Sequence, residues 1–131
     1  MGGFIMAKET FKILICDDSI LVRKKLKEAL SLCSTFEFLE AGDGQTAVDI
    51  YKKEKPDLVF MDLVIPVKDG ITAVKEIKEF DDDALVVIAS SSGTQENLKK
   101  AIKAGAVEFI QKPWEQEQLE NVVKKFLKKG E

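Results

Sequence analysis

At 131 residues, 45% of them hydrophobic, the chain has the size of one domain that buries a real core. A net charge of -3, from 20 basic and 23 acidic residues, supplies no basic field for sequence-independent binding to nucleic-acid phosphates. The absence of histidine excludes histidine-based metal sites and acid-base chemistry, and no apolar stretch approaches the roughly 20 residues that cross a bilayer.

Residues 1–10 are set apart as an extension. The leader Met1-Gly2-Gly3-Phe4-Ile5-Met6 has the glycine of a myristoylation signal but Met6 where Ser or Thr is wanted. Met6 reads equally well as a start behind an upstream extension. The domain is therefore placed at residues 11–131.

From Phe11 onward, short apolar runs alternate with segments of helical period, and Gly, Pro or acidic residues mark the junctions. The runs predict strands at about 12–16, 36–41, 58–62, 85–90 and 107–111. Cys16, inside the first strand, and Cys33, near the end of the first helix, form no Cys-x-x-Cys pair. They read as reduced core residues of a cytoplasmic protein. The first helix carries Val22, Leu26, Ala29 and Leu30 on one face. Asp81-Asp82-Asp83 lacks the Gly and Glu of a calcium loop and reads as a solvated connection. The fourth helix, about 94–104, is expected to turn Leu98, Ala101 and Ile102 inward and to end at Gly105 as its C-cap. The last helix carries Leu119, Val122, Val123 and Phe126 on one face.

Strict strand-helix alternation with right-handed crossovers and nearly all-apolar strands gives an α/β class: a doubly wound parallel sheet with helices on both faces. Ligands of such sheets bind outside the carboxyl ends of the strands. Asp17-Asp18 closes the run Ile13-Leu14-Ile15-Cys16, and Asp62 closes Leu58-Val59-Phe60-Met61. On neighbouring strands these three carboxylates share one crevice and repel each other, unless a cation neutralises them or one stays protonated. Such an oxygen cluster asks for a hard divalent metal. Ser90 and Lys112 end the fourth and fifth strands and converge on the same place.

Asp17-Asp18, Asp62-Leu63-Val64-Ile65-Pro66, Asp69-Gly70, Ser90 and Lys112-Pro113, in this order and spacing, resemble the CheY-like receiver domain of two-component response regulators. The resemblance covers about residues 11–128. It implies a flavodoxin-like, three-layer fold with strand order 2-1-3-4-5 and five helices. It also implies that Asp62 is the phosphoacceptor, supplied by a histidine kinase, a phosphotransfer protein or a small acyl phosphate. Magnesium, or manganese in its place, would bind through Asp18, Asp62 and the Val64 backbone carbonyl, with Asp17 acting mainly through a water.

Lys112, aimed by a cis bond before Pro113, would contact the carboxylate and then the phosphoryl oxygens. Ser90, selected over Ser91 and Ser92 by counting back from Lys112-Pro113, matches the switch hydroxyl. Phe109 matches the aromatic residue that turns inward with it. The implied output is binding, not turnover: the fourth helix, fifth strand and fifth helix present an altered surface to a downstream protein. The implied oligomeric state is a monomer or weak phosphorylation-dependent dimer.

The chain departs from many relatives at Val64 and Ser92, where polar side chains orient the water that hydrolyses the acyl phosphate, and slow self-dephosphorylation is expected. Ile20 and Leu21 crowd the first turn of the first helix beside the crevice. They predict exposed apolar surface for a phosphotransfer partner, the alternative being packing under a neighbouring loop.

A flavodoxin-like redox protein would need a phosphate-cradling loop where this chain has Asp17-Asp18-Ser19. A metal-dependent phosphatase with an aspartyl nucleophile usually carries a second Asp at the position of Val64. A phosphorylation-independent binding module stays an alternative, although it would normally have lost an acidic residue or the lysine. With no linker or output domain read in the sequence, a stand-alone regulator, chemotaxis-type or a phosphorelay intermediate, is expected, and an excised receiver of a larger, for example transcriptional, regulator stays the alternative. Trp114, the only tryptophan, offers a reporter near the crevice.

Overall fold

The computed structural model describes residues 10–127, so the expected extension lies, apart from Thr10, outside the described residues. In chain order the elements are β1 (Phe11–Cys16), α1 (Ile20–Ser31), β2 (Phe36–Ala41), α2 (Gly44–Glu54) and β3 (Leu58–Met61). They continue with α3 (Gly70–Phe80), β4 (Val86–Ser90), α4 (Gln95–Ala104), β5 (Glu108–Gln111) and α5 (Gln116–Phe126). The strands pair in parallel in the order β2-β1-β3-β4-β5. This is the expected flavodoxin-like architecture, with three strands shorter by one residue at one end.

The two-residue period of the strands divides the core into two layers. Ile13, Ile15, Leu58, Phe60, Val87, Ala89 and Ile110 face Leu26 and Leu30 of α1 and Leu119 and Val122 of α5. Leu14, Cys16, Val59, Met61, Val86 and Ile88 face the buried residues of α2, α3 and α4. Burying a side chain as completely as Phe60 or Leu30 contributes about 1.5–3 kcal/mol each. Ser19, Asp43, Asp69 and Thr94 cap α1 to α4 by accepting a backbone N–H of the first turn. Gly105 ends α4 at φ 115°, the left-handed conformation expected of it.

The inward face of α4 departs from the sequence expectation. Ala101 is buried as expected, but Leu98 is 37% and Ile102 50% exposed. The inward ridge runs instead through Asn97, Ala101 and Ala104, positions four and three apart. Two alanines let the helix lie close to its neighbours, which rotates the larger aliphatics toward solvent. In the acidic run, the Asp81 carboxylate accepts a bond from the Tyr51 hydroxyl at 2.8 Å, while Asp82 and Asp83 are exposed. Burial and that bond raise the Tyr51 pKa.

Candidate phosphoryl-acceptor site

Each member of the crevice is placed by a strand that ends just before it. Asp17 follows β1, and its N–H donates to the Ala41 carbonyl of β2 at 3.1 Å. Asp62 follows β3, and its N–H donates to the Cys16 carbonyl of β1 at 3.0 Å. Oxygen atoms of Asp17, Asp18 and Asp62 lie within 4.8 Å of one another, the only such cluster among the described residues. Asp17 is buried, Asp62 half-buried and Asp18 exposed.

The Lys112 ammonium donates to Asp17 and, at 3.1 Å, to Asp62. Burial disfavours its charge, but the two carboxylate bonds outweigh this and raise its pKa, so the lysine is a fixed cation at neutral pH. Its peptide bond to Pro113 is cis, and its N–H donates to the Ser90 carbonyl at 2.9 Å. Ser90 is 1% exposed, whereas Ser91 is exposed, which separates the two hydroxyls physically. Phe109 is half-buried against the α2–α4 layer.

The flanks match the sequence reading in part. Ile20 and Leu21 are 73% and 59% exposed, so they do not pack under a loop. The Val64 side chain is 71% exposed, while its N–H donates to an Asp62 oxygen at 3.3 Å. Ser92 is half-buried and bonded to Asn97. Trp114 lines both a recess beneath the carboxylates and an open cavity of about 510 Å³ beside Lys112. Cys16 lines the same recess, but burial pushes its thiol up to about 12, with Asp43, Asp17 and Asp62 adding to the effect. It is a core thiol, not a nucleophile.

One clamp was not found from the sequence. Arg23 donates to the Asp17 carbonyl at 2.6 Å and to Glu40 of β2 at 2.9 Å, fixing the backbone between the two adjacent aspartates. Arg23 is the one arginine of the sequence, but its residue type names no partner; only the pairing of β1 with β2 brings Glu40 alongside.

A family model described as the response regulator receiver domain matches residues 13–124. The chain belongs to that family. A chemotaxis protein CheY of Halobacterium salinarum is 47% identical over 84% of this chain and 88% of its own length. A Bacillus subtilis chemotaxis protein CheY is 42% identical over 88% of this chain and 97% of its own. Among solved structures, the CheX-CheY-BeF3-Mg complex of Borrelia burgdorferi contains a chain 35% identical, with a TM-score of 0.81 and 90% of each chain covered. The receiver family thus accounts for the sheet order β2-β1-β3-β4-β5.

Proposed function

We propose that this receiver domain accepts a phosphoryl group on Asp62 from a histidine kinase or phosphotransfer protein and, so modified, binds a downstream protein. The carrying observation is the Lys112 ammonium bonded to Asp17 and Asp62 inside a crevice of three clustered carboxylates. In the transfer, an Asp62 oxygen forms a bond to phosphorus while the bond to the donor's imidazole nitrogen breaks, leaving the nitrogen's electron pair on the donor. Lys112 is placed to follow the negative charge from the carboxylate to the phosphoryl oxygens.

The donor set of oxygen atoms from Asp17, Asp18 and Asp62 fits magnesium, with the Val64 carbonyl as a further ligand and manganese able to substitute. When bound, that ion neutralises the carboxylates and the incoming phosphoryl oxygens. Because Asp62 is itself the acceptor, the domain acts on no separate substrate; it promotes only its own phosphorylation and slow dephosphorylation.

Ser90 then bonds the phosphoryl group and Phe109 turns inward, changing the α4-β5-α5 surface, where Leu98 and Ile102 already stand exposed. A chemotaxis-type regulator working in the cytoplasm fits a chain whose CheY relatives are covered over most of their length.

Intact-protein mass after incubation with acetyl phosphate, with and without magnesium, tests the reading. The mass of one phosphoryl group should appear only with magnesium and be absent from Asp62→Asn. No gain in folded, magnesium-bound protein would leave a phosphorylation-independent binding module as the better account.

Exposed Ile20 and Leu21 mark the side from which a protein phosphodonor approaches. Ile20→Glu should slow transfer from the kinase by roughly tenfold, the loss of about one buried aliphatic contact. Acetyl phosphate should react at an unchanged rate, and equal slowing with both donors would remove this assignment.

A further inference from the structure

The switch hydroxyl is tied to a helix through a short chain of polar contacts. Ser90 Oγ accepts the N–H of Ser92 at 3.2 Å. Ser92 in turn presents two acceptors to one amide group: Asn97 Nδ2 donates to its carbonyl at 2.8 Å and to its hydroxyl at 2.9 Å. Asn97 lies in the first turn of α4, where its own N–H donates to the capping hydroxyl of Thr94 at 3.1 Å. The segment between β4 and α4 therefore moves only if the Asn97 bonds stretch or α4 follows.

We propose that Asn97 is a latch, a positioning residue that holds Ser92, and through it Ser90, in the unphosphorylated arrangement. The proposal rests on the receiver reading above. Reaching a phosphoryl group on Asp62 displaces Ser90 and its bonded neighbour Ser92 toward the crevice, away from α4. The two Asn97 bonds break in that step, so they weight the equilibrium toward the resting form. The pair can open because each bond is a neutral one, readily replaced by water at a half-buried position.

The two acceptors permit a graded test. Asn97→Ala removes both bonds, whereas Ser92→Ala removes the hydroxyl bond and keeps the carbonyl one. At ordinary net strengths for such bonds, Asn97→Ala should speed phosphorylation by acetyl phosphate about tenfold and Ser92→Ala about threefold. Both variants should melt at lower temperature. A purely structural role would lower the melting temperature without speeding the reaction.

Unchanged or slower phosphorylation in folded Asn97→Ala would overturn the latch. If that variant does not fold, Ser92→Ala decides by the same criterion. If wild-type protein accepts no phosphoryl group, the phosphoryl-acceptor reading fails separately. Amide hydrogen exchange at Ser92 then judges the latch: exchange about tenfold faster in either variant supports it, and unchanged exchange overturns it.

Discussion

Between Asp62 and Gly70 the chain is held largely by its own backbone, whereas between Ser90 and Thr94 side chains do the holding. In the first loop the Pro66 carbonyl accepts N–H groups from Lys68 at 2.7 Å and Gly44 at 3.3 Å, and Gly70 N–H donates to the Leu63 carbonyl at 3.0 Å. In the second, Asn97 and the Ser90 hydroxyl supply the ties to the middle of the loop. A backbone brace cannot be released by a change of rotamer, while a side-chain bond can. The loop after Asp62 is thus braced by bonds that a rotamer change leaves intact, and the loop after Ser90 by bonds that a rotamer change releases.

Glycine replacements break this comparison most sharply. A Cβ at Gly70 would sit 2.2 Å from the Asp62 carbonyl oxygen and 2.8 Å from the Leu63 Cα, so the strand end itself must shift. Gly70→Ala should cost about 3 kcal/mol, the upper part of the range for overpacking, and weaken magnesium binding followed through Trp114 fluorescence. At Gly93 the nearest atoms are the end of the Gln111 side chain, at 2.7 Å. Gln111 is exposed and can swing aside, so Gly93→Ala should cost less than about 1 kcal/mol. Equal losses in the two denaturation curves would erase the distinction between the loops.

A smaller effect separates chemistry from scaffolding on the first loop. The Val64 side chain is exposed, yet its aliphatic surface cannot orient a water against an acyl phosphate. Val64→Asn should speed decay of phosphorylated Asp62 on the order of tenfold, by supplying an amide that positions that water. Its stability should change little. Equal decay in variant and wild type would show that the Val64 side chain does not set the lifetime.

Different physics made parts of this molecule legible from its sequence and left others hidden. Asp17, Asp18, Asp62, Ser90 and Lys112 could be assembled because parallel strands bring their carboxyl ends to one edge, and an apolar run closed by a polar residue marks each end. The sheet order came with the family pattern, since alternation alone does not choose among orders. Arg23 with Glu40, and Asn97 with Ser92, stayed hidden because their pairing depends on side-chain direction and on which elements lie side by side. Leu98 and Ile102 show the limit of periodicity: an apolar stripe identified the helix, but alanine packing decided which edge of the stripe faces inward.

A gain in stability, not a loss, is expected at Val67, whose backbone runs against its side chain. It has φ 69° at the centre of a turn closed by the bond from Lys68 N–H to the Pro66 carbonyl. A β-branched residue is disfavoured there, at a cost of about 1–3 kcal/mol, and an i to i+2 turn of positive φ is itself strained. The side chain gives little in return, being 81% exposed. The conformation persists because neighbours fix both ends of the turn: Gly44 leaves room for the Lys68 carbonyl, and the Lys68 ammonium pairs with Glu76 of α3. Val67→Gly relieves the steric clash but loosens the unfolded chain by about 0.5–1 kcal/mol, so the net expectation is a gain of about 1 kcal/mol in denaturant unfolding. Phosphorylation by acetyl phosphate should be unaffected, because the backbone braces that hold the loop remain. Slower phosphorylation in a stabilised Val67→Gly protein would instead mean that the strained residue helps hold the Asp62 loop in its working position.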